Sequence, residues 1–183
     1  MSSPLIVVSG LPRSGTSLMM AALAAGGLQP ITDGTRPPDQ HNPRGYFEDS
    51  RVLSLDRDAQ WLHGQEGRAV KILSHWLRSI PTSVQAKVLF MRRPLPQVLA
   101  SQNAMLGLTK PDRDVAALVG RDLVQTLDWL ESQPHLTSYQ VFFAKVLENP
   151  REEFARVIEF LGNGLDLEAM AATVDPALRR QRT

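Results

Sequence analysis

The chain opens with a short apolar run, Leu5-Ile6-Val7-Val8, closed by Ser9 and Gly10. An unbroken apolar run of this length predicts a strand buried on both faces, as in a parallel sheet. Leu18 to Ala25 has helical composition, and Gly26-Gly27 is a natural stop. Val52, Leu55, Ala59 and Leu62 recur at helical spacing and predict a helix. Ala69 to Leu73 reads as a second strand and Lys87 to Met91 as a third. Pro94 is placed to open a helix running to about Met105. Val115, Leu118, Val119, Leu123, Leu127 and Leu130 form an apolar stripe on a long helix. Tyr139 to Phe143 is the fourth strand candidate. Asn149 can cap the next helix, with Pro150 at its first position and Glu152 completing a capping box. Phe154, Val157, Ile158 and Leu161 give that helix its apolar face, and Gly162 stops it. Strands alternating with helices predict an α/β fold: a three-layer αβα domain with a mainly parallel sheet, covering residues 1–183 as one unit.

Composition narrows the function classes. Hydrophobic residues make up 43% of 183 and charged residues 21%, as in a globular chain. Lys plus Arg number 20 against 19 Asp plus Glu, a net charge of +1. That balance gives no reason to expect a nucleic-acid partner, and any basic site must be local. The absence of cysteine excludes a disulfide scaffold, zinc–thiolate and iron–sulfur centres, and thiol catalysis. The start, Met1-Ser2-Ser3-Pro4, has no basic residue ahead of the four-residue apolar run, unlike a signal peptide. No apolar run approaches the roughly 20 residues of a membrane span, so a cytoplasmic location is expected.

The candidate chemistry begins where the first strand ends. Gly10-Leu11-Pro12-Arg13-Ser14-Gly15-Thr16-Ser17 has the glycine spacing of a nucleotide P-loop, G-x-x-x-x-G-K-[ST], with Ser17 in the last position. Thr16 stands where the phosphate-binding lysine belongs, and no strand ending in a magnesium-binding Asp follows. The backbone N–H groups of such a loop, at a helix N-terminus, still suit an anion. Arg13 can supply the positive charge from inside the loop. An ordinary β-turn-α connection is the plain alternative. The strand, the arginine and the hydroxyls, all in position, argue against it.

These residues resemble the 5′-phosphosulfate loop of sulfotransferases that use 3′-phosphoadenosine 5′-phosphosulfate (PAPS). A second segment, Arg93-Pro94-Leu95-Pro96-Gln97-Val98-Leu99-Ala100-Ser101, follows an apolar strand and sets Ser101 eight residues after Arg93. It resembles that family's 3′-phosphate motif, an arginine at a strand end and a serine on the following helix. Arg92 is adjacent, and the spacing favours Arg93. A third segment, Phe143 to Pro150 running into Phe154 and Leu161-Gly162, resembles the family's late strand-turn-helix. There are departures. Arg13 replaces a lysine common in cytosolic members, Ala144-Lys145 stands where acidic residues are common, and the glycine-rich C-terminal cofactor loop is missing. Arg179, Arg180 and Arg182 are candidates to replace that loop's charge, with solvated tail arginines as the plainer alternative.

The resemblance implies a sulfotransferase with PAPS as donor, adenosine 3′,5′-bisphosphate as product and no metal. The acceptor is then a small molecule or glycan carrying a hydroxyl or amine. The implied cofactor-binding residues are Pro12, Arg13, Ser14, Gly15, Thr16, Ser17, Arg93 and Ser101. Sulfuryl transfer benefits from a base on the acceptor and positive charge at the leaving oxygen, a role open to Arg13. Two bases are open, His75 after the second strand and Glu48 after Gly45-Tyr46-Phe47. As alternatives, His75 is a surface or capping histidine and Glu48 a helix N-terminal acid. Lys71 is a weaker candidate for the leaving group, and His41 and His63 lack context. The Pro-, Gly- and Asp-rich stretch from Asp33 to Gly45 is the candidate lid. Trp61 and Trp129 are expected in the core, as is the Met19-Met20 pair, while Trp76 stays open. Two other classes compete: a P-loop small-molecule kinase or hydrolase, and a nucleotide-binding module without transfer. Acceptor identity and oligomeric state are not legible.

Overall fold

The computed structural model describes residues 3–37, 39, 45–107 and 113–175, with Arg113 described by its backbone alone. His41, Arg44 and the tail arginines Arg179, Arg180 and Arg182 lie outside the described residues.

Five strands form one sheet in the order β2-β3-β1-β4-β5. They are β1 (Leu5–Gly10), β2 (Pro30–Ile31), β3 (Ala69–Lys71), β4 (Ala86–Arg92) and β5 (Leu136–Phe142). Every pairing is parallel. The helices are α1 (Thr16–Ala25), α2 (Leu95–Leu106), α3 (Arg113–Glu131), α4 (Phe143–Glu148), α5 (Pro150–Leu161) and α6 (Leu167–Ala171).

Successive side chains of a strand point to opposite faces, and the core divides accordingly. Ile6, Val8 and Leu89 pack with Met19, Met20 and Leu23 of α1, Phe154 and Val157 of α5, and Met170 of α6. Val7, Val70, Val88 and Phe90 pack on the other face with Leu55, Leu62, Leu77, Ile80 and Leu130. The sheet is therefore buried on both sides, which is why its central strands carry no polar alternation. Met19 and Met20 are core residues, and Trp61, Trp76 and Trp129 pack against the second cluster.

Five expectations need correction. The helix across Val52 to Leu62 is instead two 3-10 segments, Ser50–Ser54 and Gln60–Leu62. Asp49 caps the first, and Asp58 takes the Gln60 N–H at 3.1 Å, the donor a continuous α-helix would need. The two-residue β2 makes five strands rather than four, and β3 stops at Lys71 rather than Leu73. The apolar stripe of α3 is buried only at its C-terminal half. Leu130 is 1% exposed, but Leu118 is 61% and Val115 46% exposed. The capping box at Asn149 is not formed. Asn149 already ends α4, donating its N–H to the Lys145 carbonyl at 2.8 Å, so its backbone is set by the preceding helix. It makes no side-chain cap bond, and Glu152 pairs with Arg156 instead.

Candidate active site

The loop between β1 and α1 sits at the C-terminal ends of β1 and its neighbours β3 and β4. The chain leaves β1 toward β2 on one side and later returns to build β4 and β5 on the other. Such a switch point leaves a crevice at the carboxyl ends of the strands.

The loop is shaped by its glycines. Gly10 has φ 140°, and a Cβ there would lie 2.6 Å from Ser14 Oγ and 2.7 Å from the Met91 carbonyl oxygen. Gly15 has φ 105°, and its Cβ would lie 2.5 Å from the Phe143 ring. Between them Arg13 takes φ 70°, a strained conformation for a side-chain-bearing residue, of the kind that clusters at functional sites. Pro12 and Arg13 are half-buried, and Ser14 and Thr16 are buried. Helix α1 starts at Thr16 with no side-chain cap, so its first N–H groups face the loop concavity. Ser14 Oγ is buried without a hydrogen-bond partner among the described residues, a donor that an anion oxygen would satisfy.

The second motif reaches this loop. Arg93, just past β4, donates from Nη1 to the Arg13 carbonyl at 3.1 Å and from Nε to Gln97 Oε1 at 3.3 Å. Arg13 Nε donates to Ser101 Oγ at 3.1 Å. Arg92, by contrast, bonds Gln140 on β5 at 2.5 Å. Of the two adjacent arginines, only Arg93 joins the loop. Among the described ion pairs neither Arg13 nor Arg93 has a carboxylate partner. Burial, and then the Arg13 charge, lower the Arg93 pKa below its ordinary value.

The end of β3 supplies a third cation. Lys71 is buried, and its Nζ donates to Glu48 Oε1 at 2.9 Å, to Ser17 Oγ at 3.4 Å and to the Tyr46 carbonyl. Burial lowers the Lys71 pKa against the opposing pull of Glu48, and Arg36 and Arg13 lower it further. Glu48 also pairs with Arg36 at 3.2 Å. The Arg36 guanidinium lies over the Tyr46 ring, 3.4 Å from its centroid, and Tyr46 donates its hydroxyl proton to Asp39 at 2.8 Å. Burial, and then the Asp39 bond, raise the Tyr46 pKa. The segment stays in place because Asp33 accepts bonds from the Thr35 and Ser50 N–H groups at 3.0 and 2.7 Å. Those bonds hold the Asp33 carboxyl well below the usual carboxylate range.

The structure thus gathers Arg13, Ser14, Gly15, Thr16, Ser17, Arg93, Ser101 and Glu48 with Lys71. It does not bring His75 into this network. His75 lies exposed on the 3-10 segment Ser74–Ser79, tilted against Trp76 at 5.4 Å. Desolvation lowers its pKa, and Asp122 pulls the other way. His63 bonds the Gln60 carbonyl and Ser83 at the surface. Arg36 and Tyr46 were not singled out from the sequence, where their flanking loop hid them. The one available signal was an aromatic-rich stop, Tyr46-Phe47, directly before Glu48. Among the described residues no group of three His, Asp or Glu side chains could hold a metal. No described helix is long and apolar enough to cross a membrane. An open surface groove of about 540 Å³ beside α5 and α6 shares no lining residue with this network.

No family model matches the chain, and no curated protein does. Solved structures do. A sulfotransferase domain from a Synechococcus olefin synthase superposes with TM-score 0.58 at 19% identity, covering 97% of this chain and 87% of that one. A sulfotransferase domain from the curacin biosynthetic pathway gives 0.55 at 17%, covering 96% and 89%. A mouse sulfotransferase complexed with PAP gives 0.57 at 13%, covering 98% and 68%. From end to end, then, the chain carries the fold of the sulfotransferase domains.

Proposed function

We propose that this protein is a sulfotransferase, taking a sulfuryl group from PAPS to a hydroxyl or amine acceptor. The observation that carries the reading is a pair of guanidiniums, Arg13 and Arg93, held against neutral oxygens and without a carboxylate partner among the described ion pairs. Two like charges brought together in a half-buried cleft need an anion to balance them. The buried Ser14 hydroxyl and the uncapped start of α1 lie in the same loop. The residues therefore fit a ligand carrying two separated phosphate groups. Pro12 to Ser17 would hold the 5′-phosphosulfate end, and Arg93 with Ser101 the 3′-phosphate.

The donor, when bound, supplies an activated sulfuryl group whose departure leaves negative charge on a phosphate oxygen. Arg13 and the α1 amides stabilise that charge. Lys71, anchored on Ser17 at the same helix start, adds a third positive group. Glu48 is the better base than His75, because Lys71 ties its carboxylate to the phosphate loop while His75 stands outside. Arg36 and Lys71 fix the two carboxylate oxygens, leaving an oriented acceptor for a proton. A kinase reading is weakened by Thr16 in the lysine position, because the side chain that reaches the β/γ-phosphates is missing there.

The test is calorimetric titration with adenosine 3′,5′-bisphosphate, ADP and magnesium ATP. Binding that requires the 3′-phosphate, weakened about 30- to 100-fold by Arg93→Ala, is expected from loss of one charge-assisted contact. Preference for magnesium ATP moves the protein to the kinase class. Tight binding with no transfer to any acceptor, unaffected by Glu48→Gln, leaves a nucleotide-binding module.

A further inference from the structure

Phe143 opens α4 directly after the last residue of β5. Its ring meets the anion site on two sides. One edge lies against Gly15, where a Cβ would come within 2.5 Å of Cδ2 and 3.0 Å of Cε2. Its face carries the Arg93 guanidinium, 4.9 Å from the ring centroid.

Arg93 needs such a support. Its other partners among the described residues are two neutral oxygens, the Arg13 carbonyl and Gln97 Oε1. Neither attracts a cation as a carboxylate does, and the Arg13 charge repels it. A guanidinium is planar and donates only in its own plane. A ring beneath it sets the tilt of that plane and offers a negative face. The ring cannot swing away toward the loop, because Gly15 already fills that side. Phenylalanine also brings no hydrogen-bonding group to compete for the donors of Arg93.

We propose that Phe143 is a positioning residue of the anion site, a platform immobilised by Gly15 that aims Arg93 at the second phosphate. This rests on the bisphosphate reading above. It assigns Phe143 a role distinct from packing: the ring matters for the phosphate that Arg93 meets, and little for the one in the loop.

The experiment titrates adenosine 3′,5′-bisphosphate and adenosine 5′-monophosphate against the wild type, Phe143→Leu, Phe143→Met and Phe143→Tyr. The readout is the ratio of the two affinities. Leu and Met keep an apolar side chain of useful size but lose the π face. Each is expected to lower the ratio about 3- to 10-fold, by loss of a cation–π contact. Monophosphate affinity should change less than twofold, a split that a general packing defect would not produce. Tyr keeps the ring and should restore the ratio. If Leu fails to fold, the Met variant decides. A wild-type preference for the bisphosphate that survives Leu or Met, or that Tyr loses equally, overturns the role of Phe143 alone. A wild type that does not distinguish the two nucleotides overturns the bisphosphate reading together with it.

Discussion

Arginines on the two sides of this molecule live in opposite electrostatic settings. On α5, Arg156 bonds Glu152 at 2.5 Å and Glu153 at 3.4 Å, and Arg151 bonds Glu168 of α6 at 2.5 Å. At the β1–α1 loop, Arg13 and Arg93 face a hydroxyl, two neutral oxygens and each other. Among the described residues, the same residue type is neutralised in one place and has no carboxylate partner in the other. A net charge of +1 hides this difference completely. Local pairing, and not overall charge, marks where an anion belongs.

Three substitutions test the contrast on stability, from the largest effect to the smallest. Arg156→Met should cost about 2 kcal/mol in urea unfolding, because it strips the cation from Glu153, which is 2% exposed. The Tyr139 hydroxyl at 3.4 Å is then the one described side-chain partner left to that carboxylate. An unchanged midpoint would mean that the α5 pairs are surface decoration. Arg13→Met should act in the opposite direction. Without ligand it relieves the repulsion on Arg93 and should raise stability by about 0.5–1 kcal/mol while weakening nucleotide binding, as expected where a site stores unfavourable charge for function. Destabilisation on that substitution would show that Arg13 serves the fold.

The smallest effect is a pH slope. The pKa of Lys71 is lowered in the folded protein relative to its ordinary value near 10.5. Between the lowered value and 10.5 the unfolded chain holds a proton that the folded chain has released, so stability rises with pH across that window. Lys71→Met removes this component. The difference between the two stability–pH curves should therefore climb through the alkaline range just below 10.5, and a flat difference would contradict the burial of a strained ammonium.

Much of this architecture can be read without coordinates, for definite physical reasons. The apolar runs that became β1 and β4 lack alternation because both faces are buried, and that is visible locally. The loop was legible because positive φ and close approach at Gly10 and Gly15 demand glycine, and their spacing survives in the sequence. Where local signals conflict, reading fails. Asn149 does stand at the N-cap of α5, with Pro150 opening the helix, but its N–H is taken by the Lys145 carbonyl of α4 and the capping box with Glu152 does not form. The repeat from Val52 to Leu62 suits a helix, yet Asp49 and Asp58 redirect the N–H groups into shorter turns. Pro30–Ile31 is too short to announce a strand and exists because β3 is there to pair with it.

The site divides the same way. The sequence by itself determined that an anion loop follows the first strand and that an arginine and a serine stand eight residues apart after β4. Both depend on short-range spacing along one strand-turn-helix unit. The spacing to Ser101 already favours Arg93 over Arg92, and the tertiary structure turns Arg93 into the loop and Arg92 toward Gln140, since adjacent residues of an extended chain point to opposite sides. Only the tertiary structure brought Lys71 to Glu48, 23 residues away, and Phe143 beneath Arg93, 50 residues on. Those contacts exist because parallel strands deliver their C-terminal ends to one edge of a sheet, and no local pattern along the chain records which neighbour each strand will find.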